Sequence, residues 1–148
     1  VSQDKAAVSL NIFLFKGSIM PTSNYLRGKV VDHVLRNTAY TPPATVYVAL
    51  HTSDPTAVGT PATEISGPWY ARQAAAFAAQ TTAGQTSNSG TVTYPGVTGS
   101  GVTVTHFSIW DAATLGNMLG YAALSSAKPF SVTDVPSWLP GQLAVNLA

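Results

Sequence analysis

Carboxylates are the side chains best suited to acid–base chemistry, and this chain has few of them. The six lie singly on separate segments, at Asp4, Asp32, Asp54, Glu64, Asp111 and Asp134. A glycosidase needs two carboxyl groups facing each other across a sugar. Only Asp54 and Glu64 could be brought together, by the loop between them. Because a turn or a helix cap explains the position of every acid, the sequence disfavours paired-acid catalysis.

Histidines and short motifs point the same way. The three histidines have neither HxH nor HExxH spacing, so a metal site has no support, and the chain has no cysteine to supply a thiolate ligand. His51 and Asp54 form only a weak pair at a strand end, and His33 is interpreted as a half-buried packing residue. No GxSxG elbow, P-loop or dinucleotide fingerprint is present. We therefore expect no enzyme, cofactor or metal; a small hydrolase would require activity that depends on Asp54 or Glu64.

Aromatic residues near strand ends offer a second kind of site. Trp69, Tyr70, Trp110 and Trp138 could form a platform on which sugars stack, since Tyr and Trp combine apolar area with a polar group. The alternative is packing in a core or an interface, which we favour. Trp69 and Tyr70 are the candidate surface-binding residues.

An apolar segment precedes the rest of the chain. Residues 1–19 are predicted to form an extended arm, which carries the sequence LNIFLF. Three interpretations are open: an added edge strand, an arm that docks on another subunit, or upstream sequence before a second start at Met20. An apolar arm adds most naturally to a neighbour's sheet edge or groove. The candidate interface residues are Leu10, Ile12, Phe13, Leu14 and Phe15.

Charge is scarce along the whole chain. Charged residues make up 9% of the sequence, against about 25% in typical soluble domains. A net charge of +1 argues against binding to nucleic acid or anionic lipid, and no apolar run is long enough to cross a membrane. Either this is a threonine-rich β protein, or neighbours cover much of its surface, because interface cores are depleted of charge.

One helix is predicted, over residues 23–37. Ser23 is suited to the N-cap, and Leu26, Val30 and Val34 continue an apolar stripe that Val31 and Leu35 widen. Gly28 weakens the helix by about 1 kcal/mol relative to alanine, which suggests close packing there. Asn37 is suited to a left-handed end.

A long hairpin over residues 101–124 is predicted in the middle of a sheet, with a β-bulge near Thr105 and His106 or a strand covered on both faces. Asp111, Gly116 and Asn117 supply its turn. Further strands are expected over residues 44–52, 71–79, 91–94, 128–132 and 142–147, and a polar linker over 81–88. Residues 20–148 are thus expected to form one mainly β domain, an antiparallel β-sandwich or jelly roll of about 7–8 strands.

Four segments together resemble a known family. They are NTAYTPPATVYVALHTSDP, WYAR, VTHFSIWDAATLGNMLGYAAL and PGQLAVNL. They resemble small virion proteins of tailed bacteriophages, labelled tail-fibre-like or capsid decoration proteins. The resemblance runs from about residue 23 to residue 147 and leaves the arm out. It implies a compact β-sandwich that acts by binding, located in the virion, with no catalytic residues.

Two roles follow from the resemblance. The favoured one is a non-enzymatic protein that decorates or cements the capsid, with LNIFLF docked on the major capsid protein or another virion subunit, because no heptads or repeated β segments for a fibre shaft are visible. It implies a homo-oligomer, with a trimer favoured. The alternative is a tail-associated fibre or receptor-binding module that contacts host glycans through Trp69.

Overall fold

The computed structural model describes residues 20–146. The helix α1 spans Asn24–Leu35, and a single 3-10 turn spans Pro61–Thr63. The strands are β1 Val46–His51, β2 Gln73–Ala75, β3 Gln85–Ser87, β4 Val92–Thr93, β5 Val102–Trp110, β6 Met118–Phe130, β7 Ser137–Trp138 and β8 Ala144–Asn146. In this part of the chain, no helix is both long and apolar enough to cross a membrane.

The strands pair antiparallel in three sheets. The main sheet has the order β2-β1-β5-β6, and the pairs β3-β8 and β4-β7 form two small sheets. Val48 lies opposite Ile109 in the main sheet, and both side chains are buried. This mainly β fold agrees with the predicted β-sandwich, while the jelly-roll alternative stays a prediction.

The β5–β6 hairpin dominates the main sheet, and the predicted bulge is present. The register shifts between Val104 and His106, because β6 has extra residues there. Two predictions about β6 are wrong. It forms an edge of the sheet, so of the two hairpin strands β5 alone is interior. It also does not end at residue 124: beyond the bulge it pairs with β5 again, with Phe130 opposite Val102, so residues 128–130 continue the same strand.

Other strand boundaries depend on pairing partners that lie far away in sequence. The predicted strand over residues 71–79 is reduced to Gln73–Ala75. The predicted linker contains β3, which pairs with β8, and the segment around Trp138 contains β7, which pairs with β4. The residues of β3 and β7 are polar or flanked by proline, so their local propensity is weak. Their ladders form because tertiary packing supplies the partner strand.

The core lies between the main sheet and the segments that contain the small sheets. Its most deeply buried side chains include Tyr94, Leu50, Leu143, Val97 and Val104. The Tyr94 hydroxyl donates to the Val48 carbonyl oxygen at 2.7 Å, which satisfies a polar atom that has no access to water. Burial raises the pKa of Tyr94 far above its ordinary value, so the phenol stays protonated and keeps donating.

Helix α1 starts and ends as predicted, but its environment differs. Ser23 Oγ accepts from the Leu26 amide at 3.1 Å, and Asn37 has a left-handed φ of 54°. No residue of the helix is buried, because only its first turn reaches the core, through Tyr25 and Leu26. The predicted close packing at Gly28 is wrong: an added Cβ would meet nothing within 4 Å.

The helix is joined to the domain by a short extended strap, residues 20–23. Its polar backbone groups bond along the edge of β6: the Ser23 amide donates to Leu119 O at 3.0 Å and the Tyr121 amide to Pro21 O at 3.2 Å. At the other end the Met20 amide donates to Asn146 O, in β8, at 2.9 Å. The strap therefore ties the main sheet to the β3-β8 pair and protects the first part of an edge strand.

Candidate functional site

Apart from Glu64, the carboxylates of the described residues each bond to a group within six residues in sequence. No two of them come together to form a site. The Thr56 amide donates to Asp54 Oδ1 and the Ser131 amide to Asp134 Oδ2, each at 2.7 Å, as expected of turn residues. Asp32 pairs with Arg36 on the helix surface. Asp4 lies outside the described residues. In the described range no group of three or more potential ligands could hold a metal ion.

Glu64 departs from this pattern. Its backbone caps the 3-10 turn, but its carboxylate is bonded to side chains six and eight residues away. Arg72 Nε donates to Glu64 Oε1 at 2.8 Å and Arg72 Nη2 donates to Oε2 at 2.7 Å. Their side chains are only 12% and 7% exposed. This two-pronged geometry is the strongest that an arginine–carboxylate pair adopts, and it offsets the cost of removing two charges from water.

Arg72 also holds the turn between β5 and β6. Its Nη1 donates to the carbonyl oxygens of Leu115 at 2.7 Å and Ala112 at 3.2 Å. The guanidinium lies 3.7 Å from the centre of the Trp110 ring, a cation–π contact away from bulk water. One side chain therefore joins the ion pair, the end of β5 and the following turn. We call Glu64, Arg72 and Trp110 the arginine clamp.

The turn that the clamp holds, residues 111–117, is also fixed from within. Asp111 accepts from the backbone amide of Asn117 at 2.6 Å and from its side-chain amide at 2.8 Å. Leu115 has a left-handed φ of 54° and a side chain that is 88% exposed. A branched side chain in that conformation costs free energy and persists only where the surroundings enforce it. The turn therefore presents an apolar side chain to solvent on a rigid support.

A shallow groove of about 340 Å³ lies beside this turn. The exposed side chains of Val58 and Leu115 flank it, and Tyr25 from α1 contributes to its wall. Trp110, whose indole is 4% exposed, and Arg72 form part of its floor. The groove combines apolar walls with a single guanidinium that is already fully engaged by the clamp.

His51 belongs to a buried hydrogen-bond chain and does not pair with Asp54. Trp110 Nε1 donates to Ser108 Oγ at 2.7 Å. Thr63 Oγ1 donates to the Thr60 carbonyl oxygen at 3.2 Å, so it accepts from His51, and the Ser108 hydroxyl donates to His51 Nε2 at 2.6 Å. His51 Nδ1 then carries the proton and donates to Thr63 Oγ1 at 2.9 Å. Burial lowers the pKa of His51 to about 4, an effect that Arg72 and His106 reinforce and Glu64 opposes.

The Ser108–His51 contact has the atoms of a nucleophile–base pair, but it lacks access to a substrate and a carboxylate that orients the imidazole. Both residues are completely buried, so no substrate can reach the serine oxygen. Thr63, and not a carboxylate, orients the imidazole. The pair therefore fills a hydrogen-bonding role inside the sheet.

Of the two candidate surface-binding aromatics, Trp69 is buried and Tyr70 is partly buried. Trp69 is 7% exposed and packs edge-on against Tyr70, with ring centres 5.7 Å apart. The Tyr70 hydroxyl accepts from the Leu50 amide and donates to Glu64 Oε1, both at 2.9 Å, so its polar group is also occupied. Burial raises the pKa of Tyr70 and keeps the phenol protonated. The Tyr70 ring also stacks on Tyr94, with ring centres 5.9 Å apart, so both aromatic residues pack against the core.

The largest departure from the sequence predictions is the second half of α1. Val30 and Val31 are each 49% exposed, and Val34 and Leu35 are 68% and 76% exposed. We call these four residues the helix patch. His33, expected to be half-buried, is also exposed, with Nδ1 3.3 Å from Thr38 O. The candidate interface residues 10–15 lie outside the described residues.

The sequence analysis did not single out Arg72 or Ser108 as site residues. Nothing in the sequence marks Ser108 as a site residue, because serine is common at polar positions of strands. Arg72 did carry a signal: it is an isolated cation in a stretch of alanines and aromatics, and an isolated charge in such a setting is a candidate for a buried pair.

A sequence model of one family matches nearly the whole described range. The family is described as "Podophage GP4 fiber I protein gp80", and its model matches residues 21–146. The chain belongs to this family. It is therefore a phage fibre-family protein with a structural role and a component of the virion. The search of curated proteins found no match. The family match confirms the predicted relation to tailed-phage virion proteins.

Proposed function

We propose that this chain is a non-enzymatic, tail-associated fibre domain that works by binding other proteins of the virion and the host surface. The observation that carries the proposal is the match of a podophage fibre family to residues 21–146. The polar groups that could do chemistry support it, because the His51–Ser108 pair and the Glu64 carboxylate are bonded and buried. What the domain offers to partners is exposed apolar side chains on rigid supports.

The contact surface that we propose is the turn of residues 111–117 with the adjoining groove. Trp69 is buried and Tyr70 is partly buried, so more exposed side chains are better placed for a host contact. Leu115 and Val58 are highly exposed, and the arginine clamp fixes the turn before any partner arrives. A preorganised loop loses little conformational entropy on binding, which favours affinity.

The test is to locate the chain on purified phage particles by cryo-electron microscopy at subunit resolution. We expect density for this fold in a few copies at the tail. Adsorption of particles that carry Leu115→Ser should fall, whereas particles that carry Leu139→Ser should adsorb normally; Leu139 is 55% exposed and lies away from the turn. Equal adsorption of the two variants would remove the turn from the contact surface.

Capsid decoration is the second candidate function. The observation that favours it is the compact β domain: within the described residues there is one helix of 12 residues and no long segment that could serve as a shaft. Many symmetric copies over the head in the same cryo-electron microscopy maps would establish this role in place of the tail location. It implies the major capsid protein as the partner.

A further inference from the structure

We propose that the buried hydrogen-bond chain through His51 makes the turn of residues 111–117 sensitive to acid. A proton bound to His51 loosens this turn while the rest of the domain stays folded. The inference rests on the proposed role of the turn as a contact surface, and it adds a condition under which that surface is lost. Its test uses the free protein in solution, so its failure is distinguishable from a failure of the proposed function.

The hydrogen-bond chain has no place for a further proton. The Trp110 indole donates to Ser108, and the Ser108 hydroxyl donates to His51 Nε2. On the other side of the imidazole, His51 Nδ1 donates to Thr63, whose hydroxyl donates to the Thr60 carbonyl oxygen. Every donor thus points the same way along the hydrogen-bond chain. Among its side chains only the imidazole can bind a further proton in weak acid.

A proton on His51 Nε2 reverses one of these hydrogen bonds. The imidazolium has two N–H donors and no acceptor, so Nε2 then donates to Ser108 Oγ. Among the described residues Ser108 Oγ bonds only to His51 and Trp110, so its own hydrogen loses its acceptor. Both Ser108 and His51 are completely buried, and a buried donor without a partner is costly. The cost is relieved when the end of β5 opens and water reaches the serine hydroxyl.

Trp110 is the member of the hydrogen-bond chain that can yield, and it also supports the turn. It is the last residue of β5, and the register of the β5–β6 ladder shifts between Ile109 and Trp110. Its ring lies 3.7 Å from the Arg72 guanidinium, which donates to the Leu115 carbonyl oxygen at 2.7 Å. Loss of the Trp110–Ser108 bond therefore reaches the turn through one side chain, that of Arg72.

The charged groups around His51 couple it to the same turn. Burial lowers the pKa of His51 to about 4, an effect that Arg72 and His106 reinforce and Glu64 opposes. An imidazolium therefore repels Arg72 and competes with it for the Glu64 carboxylate. Tyr70 also faces this site through its bond to Glu64, but burial raises its pKa, so it stays protonated. The turn is thus held at neutral pH and released in acid.

The turn has a conformation that needs outside support. Leu115 has a left-handed φ of 54°, which persists only where the surroundings enforce it. When Arg72 releases the Leu115 carbonyl oxygen, that support is gone. The hydrogen bonds between Asp111 and Asn117 still close the turn at its base, so the change stays local. Leu115 is then no longer held in one position, and binding through it loses its preorganisation.

The experiment follows NMR signals of the full, isotopically labelled chain as the pH is lowered from 6.5 to below 4. The His51 imidazole signals report its protonation. The Trp110 indole N–H and the Asn117 amide report the state of the turn. The Tyr94 amide, which donates to Pro136 O at 2.9 Å beside the β4–β7 pair, is the internal reference for the folded domain.

We expect the Trp110 and Asn117 signals to shift or broaden with the same midpoint as the His51 signals, at about pH 4. The Tyr94 amide should keep its folded position, and the change should reverse when the pH is raised again. Turn signals that change where the His51 imidazole does not titrate would overturn the proposal. A single cooperative step in all the signals would do the same, since it would mean global unfolding in acid.

Two variants separate His51 from its titratable neighbours. His51→Gln should reduce the amplitude of the turn transition at least several-fold. His106→Gln is the matched control and should retain the transition, because His106 lies opposite His51 in the β1–β5 ladder but bonds to Thr105, outside the hydrogen-bond chain. A full transition in His51→Gln would assign the trigger to Glu64 and contradict the proposal. If His51→Gln does not fold, the midpoints measured in the natural chain still decide.

Discussion

The arginine clamp and the helix patch invert the usual relation between polarity and burial. The clamp buries an acid and a base: the side chains of Arg72 and Glu64 are 7% and 12% exposed and fully bonded. The patch exposes branched aliphatic side chains, with Leu35 at 76%. Charged groups rarely enter a core unless they are paired, whereas clustered apolar side chains on a surface often mark a contact site.

The comparison suggests that different regions of this molecule determine its stability and its binding. Breaking the clamp leaves a buried charge without its ionic partner, so the free energy of unfolding should fall. The patch makes no core contact among the described residues, so changing it should leave folding nearly unaffected. Four predictions test this separation, from the largest expected effect on the free energy of unfolding to the smallest.

Arg72→Ala should destabilise the domain most, by about 3–5 kcal/mol, because Glu64 is left as an uncompensated buried carboxylate. The measurement is the free energy of unfolding from urea titrations at neutral pH. Arg36→Ala is the matched control, since its ion pair with Asp32 is largely exposed, at 70% and 38%, and should change stability by less than about 1 kcal/mol. Similar losses in the two variants would contradict the distinction between buried and exposed pairs.

His51 should make the domain lose stability as the pH falls. Its folded pKa of about 4 is below the ordinary value of 6.5, so between these two values the unfolded state binds the extra proton. The free energy of unfolding therefore decreases from pH 6.5 towards pH 4, by about 3 kcal/mol from this residue alone. The measurement is a series of urea titrations across that range.

The control for the pH effect is His51→Gln, which retains one donor and one acceptor but cannot titrate. It should be less stable than the natural chain at pH 7, and the dependence of its stability on pH should be flatter between pH 6.5 and 4. An equally steep dependence would assign the effect to other groups, such as the carboxylates.

Gly28→Ala should stabilise the domain by about 1 kcal/mol, because alanine is the better helix former. The added methyl group meets no atom within 4 Å, so no packing opposes it. The thermal midpoint, followed by circular dichroism, should rise by several degrees. A fall would mean that another element packs against Gly28.

Val34→Ser should leave stability within about 0.5 kcal/mol, as for exposed positions in general, since the side chain is 68% exposed. Val48→Ser is the contrasting variant: Val48 is completely buried in β1 and its loss should destabilise the fold. A large loss of stability in Val34→Ser would place the patch in the folded core and not in an interface.

The local patterns of the sequence predicted the elements whose signals are contained within a few residues. The N-cap at Ser23, the left-handed end at Asn37, the Asp111–Asn117 turn and the bulge before His106 are all present. They are predictable because a side chain bonds to the backbone next to it, or because hydrophobic alternation changes phase within one strand.

Only the tertiary structure decided which faces and charges are covered. The stripe on α1 has the spacing of a buried face, yet the helix contacts the core only through its first turn, and amphipathic spacing cannot say what lies opposite. Likewise, the isolated charge of Arg72 suggests a buried pair but does not name the partner. Its pairing with Glu64 depends on the fold that brings the loop, the strand end and the turn together. Hydrogen bonds within a turn are local, whereas burial depends on the partner that packs against a surface.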